Sequence, residues 1–138
     1  MTSVTPPPSF SELVDSMPFA TGLGVVIESA SPEEVTGNLA WDASRCTVNG
    51  VLHGGALMGL ADSIGAVCAF LNLPPGAGTA TIQSNTNFFR AVRSGSAHAT
   101  SRPLHVGRTT IVVQTEIRDD EGRPVGSVTQ TQSVSFPT

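Results

Sequence analysis

The segment from His53 to Leu71 constrains the fold of this chain more than any other part of the sequence. It is apolar almost throughout, and Asp62 is the only acidic or basic side chain within it after the opening histidine. A Gly-Gly pair opens the segment and a Pro-Pro-Gly sequence closes it, which leaves room for a helix of roughly four or five turns. A helix that is apolar all the way round is expected to be buried on every side. The simplest fold that buries such a helix wraps a sheet around it.

The residues on both sides of this segment alternate between apolar and polar, which is typical of strands. Leu23, Val25 and Ile27 share one face of the first such stretch. The predicted strands cover residues 23–27, 35–41, 79–89, 96–105, 109–117 and 124–136. Short links between successive strands predict antiparallel pairing. The predicted fold class is therefore α+β, with an antiparallel sheet wrapped around one long central helix.

The start of the chain differs from the rest in composition. Three consecutive prolines predict an extended or disordered beginning, and Phe10–Met17 is predicted to form a short helix that Pro18 ends. The length of 138 residues fits one compact domain. We expect residues 1–20 to be an N-terminal lead-in and residues 21–138 to form that domain.

Composition excludes some partners and locations. The net charge is −4 and all seven cations are arginine, so general binding to nucleic acid is disfavoured. Charged residues make up 13% of the chain, roughly half the usual share, which is consistent with an oligomer that hides part of the surface. The sequence shows no signal peptide, and the longest apolar stretch is short for a membrane span. We therefore expect a cytoplasmic protein that acts away from membranes.

The start of the central helix suits a ligand with developing negative charge. The preceding loop reads Asn49-Gly-Val-Leu-His53-Gly54-Gly55. Glycines let a ligand approach the backbone, and the first N–H groups of a helix lack internal partners. Asp62 lies further along the same helix, where burial would disfavour its charged form, as is common for catalytic carboxylates. From the residues alone, Asp62 is either such a carboxylate or the one solvated position of the helix.

The spacing of these groups predicts a dimer. Gly55 and Asp62 are seven residues apart, so they lie about 10 Å apart along the helix axis. A general base must come within about 3 Å of its target, or act through one water. Asp62 therefore cannot act on a carbonyl bound at the start of its own helix. If the two groups serve one reaction, Asp62 comes from another protomer related by a two-fold axis.

The motif resembles that of a known family. His53-Gly54-Gly55 followed by Asp62, nine residues after the histidine, is similar to the signature of the PaaI-type and 4-hydroxybenzoyl-CoA thioesterase-like hotdog-fold proteins. The stretches Thr81–Val92 and Val106–Arg108 also resemble that family. The resemblance implies a hotdog fold and hydrolysis of acyl-CoA to a carboxylate and free coenzyme A. It also implies no metal or redox cofactor, and a homodimer or homotetramer with active sites between protomers.

The resemblance assigns roles to individual residues. The N–H of Gly54, with Gly55 beside it, would polarise the thioester carbonyl, while Asp62 would activate water or attack the carbonyl directly. Thr81 would help to hold the water, and His53 would organise the loop rather than act as a base. Many relatives place an amide six residues before the histidine, where this chain has a threonine. Asn49 is the candidate to replace that amide.

Two features and two alternative functions stay open at this point. Arg90 and Arg108 are candidates to bind the phosphates of coenzyme A, since arginine matches phosphate oxygens, but they are equally well read as arginines at strand ends. A hotdog hydratase or dehydratase would act on the β-carbon of the acyl group instead. A non-catalytic acyl-CoA-binding protein would retain the fold without turnover. The histidines and the two cysteines show no spacing typical of zinc sites.

Overall fold

The computed structural model describes residues 8–137, so most of the proline-rich start lies outside the described residues. Within that range the helices are α1 (Phe10–Asp15), α2 (Pro18–Leu23) and α3 (Gly54–Leu71). The strands are β1 (Val26–Ala30), β2 (Val35–Ala40), β3 (Gly78–Phe88), β4 (Ser96–Val106), β5 (Thr110–Arg118) and β6 (Pro124–Ser135). Two short 3-10 turns, Ala43–Arg45 and Val48–Gly50, lead into α3. The predicted class, one long helix with an antiparallel sheet, is confirmed.

The six strands form a single antiparallel sheet in the order β1-β2-β4-β5-β6-β3. Successive strands are neighbours in this sheet except where the chain leaves α3. It then enters β3 at the edge, pairs it with β6, and returns to the centre of the sheet for β4. One long side of β3 therefore has no neighbouring strand in the described chain, which matters for the site.

The core lies between α3 and the concave face of the sheet. Ten helix residues are buried: Ala56, Leu57, Leu60, Ala61, Ser63, Ile64, Gly65, Val67, Cys68 and Ala69. On β5, the predicted inward face is confirmed, because Ile111, Val113, Thr115 and Ile117 are all buried. The helix approaches β2 closely at Gly37, where a Cβ atom would lie 2.4 Å from Cδ1 of Ile64. A side chain is excluded there because the backbone oxygen of Val26 on β1 would also lie 2.6 Å from that Cβ atom.

The prediction that α3 is buried on every side is wrong for the single chain. Gly55, Met58, Asp62 and Phe70 are exposed and Ala66 is partly exposed, and these five residues form one stripe along the helix, the open stripe. The spacing of three to four residues places them on one face. By length and composition α3 passes for a membrane span, yet 56% of it is buried within the chain, as in the core helix of a soluble domain.

The N-terminal elements differ from the prediction in two places. Ser9 caps α1 through a capping box with Glu12, but Pro18 begins α2 instead of only ending a helix. Leu23 is the last residue of α2, not the first of a strand, because Gly24 adopts a φ of 102° and reverses the chain there. The domain boundary predicted near residue 20 stays a prediction.

Candidate active site

The N-terminus of α3 carries one backbone donor that is left free. His53 is the N-cap, and its Nδ1 accepts a hydrogen bond of 2.7 Å from the N–H of Gly55. The backbone carbonyl of His53 accepts from the N–H groups of Ala56 and Leu57. Among residues 8–137 no acceptor bonds the N–H of Gly54. This N–H stands at the positive end of the helix dipole, where an oxyanion is stabilised.

The geometry of His53 fits an organising role. Because Nδ1 accepts from the Gly55 N–H, the neutral imidazole carries its proton on Nε2. That nitrogen is then a donor and not a base. The side chain fixes the direction of the first helical turn, which leaves the N–H of Gly54 as the free group.

An apolar groove leads to the Gly54 N–H. It has a volume of about 380 Å³ and is lined by Thr47, Val51, Leu52, Gly54, Leu57, Phe88, Phe89, Arg90 and Ala91. The ring of Phe88 lies over the helix start, since a Cβ atom on Gly54 would be 3.2 Å from its Cζ. Any larger side chain at position 54 would therefore crowd both the groove and the aromatic ring.

The carboxylate of Asp62 is held by side chains of the sheet. Its Oδ1 accepts from the hydroxyl of Thr81 on β3 at 3.1 Å and from the amide of Gln130 on β6 at 3.4 Å. Thr81 in turn accepts a hydrogen bond of 2.7 Å from Nε2 of Gln132. Asp62 itself lies on the open stripe and is exposed in the single chain. The structure thus brings Asp62 and Thr81 together, as the family resemblance implies.

Asp62 and Gly54 do not meet within one chain. They are eight residues apart on one helix, about 12 Å along its axis. The open stripe and the unpaired edge of β3 lie beside each other, because Asp62 on the helix contacts Thr81 on the strand. Most of β3 is exposed. One continuous surface therefore carries the carboxylate, the apolar residues of the stripe and a free strand edge.

Asn49 does not line the Gly54 groove, whereas Thr47 does. Asn49 has left-handed backbone angles (φ 65°, ψ 24°) and an exposed side chain, and its carbonyl accepts from Arg93 at 3.2 Å. Its contact with the thioester carbonyl stays a prediction.

Arg90 and Arg108 lie at opposite ends of the sheet. Arg90 follows β3 and lines the Gly54 groove, whereas Arg108 belongs to the turn between β4 and β5 at the other end. Both are exposed. Within one protomer they cannot bind the same phosphate group.

Next to Arg90 lies an acidic turn in which one arginine pairs with two carboxylates. Arg123 bonds Asp119 and Glu121, both at 2.8 Å. Desolvation raises the pKa of Asp119, but hydrogen bonds from Arg123 and from the backbone of Glu121 outweigh it and hold this pKa below its ordinary value. Asp120 of the same turn bonds His98 at 2.7 Å, and the described residues give the side chain of Arg90 no ion pair, so its binding of a phosphate stays a prediction.

The sequence alone did not identify two glutamines that lie beside Asp62. Gln130 and Gln132 are fully buried on the inward face of β6, in line with Val128. The available signal was this alternation, because two amides on a face that otherwise packs into the core require polar partners. Their partners could not be identified from sequence, since Asp62 lies 68 residues before Gln130.

The described residues contain no group of three or more His, Cys, Asp or Glu side chains that could hold a metal ion. The expectation that the reaction needs no metal or redox cofactor remains a prediction. The available chemical groups are a free N–H at a helix N-terminus, a carboxylate fixed at one oxygen, and one arginine in the groove lining, Arg90. These groups suit attack on a carbonyl.

Comparison with known proteins agrees with this chemistry. The model of the thioesterase superfamily matches residues 49–125. A mutant of thioesterase PA1618 from Pseudomonas aeruginosa superimposes with a TM-score of 0.86 at 30% identity, covering 92% of this chain and 94% of that one. A thioesterase protein from Streptococcus pneumoniae, solved with coenzyme A, has a TM-score of 0.75 at 28% identity and covers 82% and 87%.

A relative with a named substrate supports the same assignment. The 1,4-dihydroxy-2-naphthoyl-CoA hydrolase of Escherichia coli is 39% identical over 74 residues, which cover 54% of this chain and 54% of that protein. The matched family residues include the whole of α3 and of β3, and so both Asp62 and Thr81. The chain belongs to the thioesterase superfamily, and it is a thioester hydrolase with the hotdog fold.

Proposed function

We propose that this protein is a cytoplasmic acyl-CoA thioesterase that hydrolyses an acyl- or aryl-CoA thioester to a carboxylate and free coenzyme A. The observation that carries the proposal is the pair of incomplete half-sites. The N–H of Gly54 has no acceptor among the described residues, and the carboxylate of Asp62 is fixed at one oxygen and open at the other. The coenzyme A in the Streptococcus pneumoniae structure and the E. coli hydrolase support the substrate class.

The two half-sites would meet across a two-fold axis. Antiparallel pairing of two β3 edges would join the sheets of two protomers and set their open stripes against each other. Asp62 of one protomer would then face the Gly54 N–H of its partner. The same operation would bring Arg90 of one protomer and the partner's Arg108 to the same end of the joined sheet. This arrangement supports a homodimer, of which a homotetramer would contain two.

In this arrangement the reaction follows from the charges. The thioester carbonyl accepts a hydrogen bond from the Gly54 N–H, and the helix dipole stabilises the oxyanion that forms. Asp62 either removes a proton from the attacking water or attacks the carbonyl carbon itself. Thr81, whose proton is directed to Asp62, keeps a lone pair that can accept from that water. The carbon–sulfur bond then breaks, and coenzyme A leaves as the thiolate, which takes up the proton that Asp62 removed from the water. Where Asp62 itself has attacked, water hydrolyses the resulting anhydride, which releases the carboxylate product and frees Asp62.

The apolar surface beyond Asp62 is suited to the acyl group. A pocket of about 360 Å³ is lined by Pro8, Glu12, Leu13, Ser16, Met17, Ala66, Val67, Phe70 and Thr79. Ala66 and Phe70 follow Asp62 by one and two helical turns on the open stripe. An acyl or aryl group bound there would place its thioester beside the carboxylate.

Thiol release from aryl-, short- and medium-chain acyl-CoAs tests the activity. Wild type should release thiol, and Asp62→Ala should lose at least about 100-fold in rate, the scale of a positioned acid–base group. Equal rates for the two proteins would refute Asp62. Water addition to enoyl-CoA would favour the hydratase, and binding without thiol release would favour the non-catalytic protein.

Mixing two inactive variants tests whether the site lies between protomers. Gly54→Val blocks the groove, and Asp62→Ala removes the carboxylate. Each homodimer lacks both sites, whereas a heterodimer holds one intact site. After subunit exchange of equal amounts, about a quarter of the wild-type activity should return, because half of the dimers are mixed and each has one of two sites. No recovery, with heterodimers shown to have formed, would contradict a shared site.

A charged side chain introduced on β3 tests whether its free edge is the interface between protomers. Ile82 lies near the middle of β3 with 63% of its surface exposed, so Ile82→Asp would place two carboxylates close together across the two-fold axis. Light scattering should show a monomer with little thiol release. Val26→Asp is the matched control, since Val26 is 52% exposed on β1 at the opposite edge of the sheet. A fully active Ile82→Asp monomer would refute the shared site.

A further inference from the structure

We infer that Gln130 and Gln132 are positioning residues that fix one oxygen of Asp62 and so determine which oxygen faces the substrate. The inference rests on the proposed function, because it assigns a task to groups behind its carboxylate. Neither glutamine lines the Gly54 groove, and both are buried. They act on the reaction only through Asp62 and Thr81.

The hydrogen bonds that reach Asp62 all run in one direction. Thr79 donates its hydroxyl proton to Oε1 of Gln132 at 3.2 Å, and Nε2 of Gln132 donates to Thr81 at 2.7 Å. With one lone pair of its hydroxyl occupied by an amide donor, Thr81 directs its own proton to Oδ1 of Asp62. The Asp62 carboxylate only accepts, so Thr81 must donate to it and the amide of Gln132 must present its nitrogen to Thr81. Gln132 therefore sets the orientation of the Thr81 hydroxyl.

Gln130 adds a second donor to the same oxygen. Its Nε2 lies 3.4 Å from Oδ1 of Asp62, while its Oε1 has no hydrogen-bond partner among the described residues. The opposite orientation of the amide would set two oxygens against each other, so the carboxylate itself selects this one. A buried carbonyl without a partner costs free energy. The glutamine is buried here despite that cost, which indicates that the hydrogen bond from its Nε2 to Asp62 has a function.

The helix is shaped to admit this amide. Gly65 lies on α3 facing β6, and a Cβ atom on it would be 2.0 Å from Oε1 and 2.6 Å from Cδ of Gln130. A glycine inside a helix costs about 1 kcal/mol relative to alanine. The buried glycine and the buried glutamine thus form one fitted pair behind Asp62, one turn from the carboxylate.

Together the two donors fix one oxygen of Asp62 and leave its other oxygen for chemistry. Both bonds end on Oδ1, and no hydrogen bond to Oδ2 is present among residues 8–137. In the proposed dimer, Oδ2 is therefore the oxygen left free for the substrate.

Gln130→Met and Gln132→Met test the inference, because methionine keeps the length of the side chain and removes the donor. For each we expect kcat to fall about 10- to 100-fold with KM within about twofold, the range for groups that orient a reacting residue. The melting temperature of Gln130→Met should change little, because the lost hydrogen bond to Asp62 is offset by the removal of an unpartnered buried carbonyl.

Gln130→Glu supplies a result that a structural role would not produce. With one proton between them, the introduced carboxyl group can donate to Asp62 as the amide does, so activity should persist at acidic pH. Activity should fall on the alkaline side, where both carboxyl groups ionise and repel each other. Gln114→Met is the matched control, because Gln114 points to the outer face of β5 and should leave kcat and the profile unchanged.

The outcomes separate this inference from the proposed function. Wild-type kcat in both methionine variants, or a loss of rate that only tracks the folded fraction, would overturn the positioning role. Equal thiol release by wild type and Asp62→Ala would instead overturn the proposed function, and it is measured first. A loss of kcat in stable variants, with KM nearly unchanged, supports the inference.

Discussion

The close packing of Gly65 against Gln130 predicts that the effect of Gly65→Ala on stability changes sign when Gln130 is replaced by alanine. Propensity alone says that Gly65→Ala should stabilise α3 by about 1 kcal/mol. The added Cβ would, however, lie 2.0 Å from Oε1 of Gln130, and the glutamine is 0% exposed, so its amide has no solvent to move into. Overpacking a core of this kind costs about 1–3 kcal/mol. The net effect should be a destabilisation of about 0–2 kcal/mol.

In a Gln130→Ala background the same methyl group enters vacated space. There Gly65→Ala should stabilise by about 1 kcal/mol, because only the propensity gain remains. The coupling between the two positions should therefore be about 1–3 kcal/mol. Urea unfolding of the four proteins measures it, at one fixed protomer concentration because association contributes to stability.

The same cycle has a catalytic counterpart. Gly65→Ala should lower kcat when Gln130 is present, because the displaced amide can no longer donate to Asp62, and should change it little in the Gln130→Ala background. A coupling below about 0.5 kcal/mol, within ordinary additivity, would refute the argument that the glycine exists to admit the amide.

Three further predictions concern stability. Burial raises the pKa of the Cys68 thiol to about 11 from an ordinary 9.0, so its neutral form stabilises the fold below pH 9, and this contribution is lost as pH rises toward 11. The midpoint of alkaline unfolding should therefore move to higher pH in Cys68→Ala, and alkylation of Cys68 at pH 8 should require denaturant. Gly37→Ala should destabilise by about 1–3 kcal/mol in urea unfolding, since its Cβ would meet Ile64 and the backbone of β1. Ser9→Ala should cost about 1 kcal/mol by loss of the α1 cap, whereas Ser11→Ala, whose hydroxyl caps no backbone group, should cost less.

The sequence predicted the elements of the fold because the apolar pattern of each segment and the Gly and Pro residues at its ends indicate the same boundaries. The central helix begins one residue after His53 and ends at Leu71, where it was expected to, since Gly-Gly and Pro-Pro-Gly bound an uninterrupted apolar run. Leu23 was misplaced because it continues an alternation with Val25 and Ile27 on the strand side. The reversal at Gly24, which puts Leu23 in a helix, leaves no trace in that pattern.

The order of strands and the support of the carboxylate could not be predicted. The link of seven residues between β3 and β4 is compatible with a hairpin, and only the three-dimensional structure shows that it crosses to the middle of the sheet. This crossing sets β3 beside β6 and so brings Thr81, Gln130 and Gln132 around Asp62. Local patterns carry no information about contacts between residues that lie so far apart in the chain.

The exposure of one face of α3, which the sequence did not predict, is also its most informative property. An ordinary solvent-facing stripe is polar, whereas the open stripe consists of Gly55, Met58, Ala66 and Phe70 with Asp62 as its single charge. Such a surface is expected where a second protomer covers it, and in the proposed dimer the helix would be buried on every side, as its composition predicts. Burying a carboxylate is unfavourable unless hydrogen bonds stabilise its charge. The donors from Thr81 and Gln130 meet that requirement in advance, from within the same chain, which explains why amides stand on a strand face that otherwise packs apolar core.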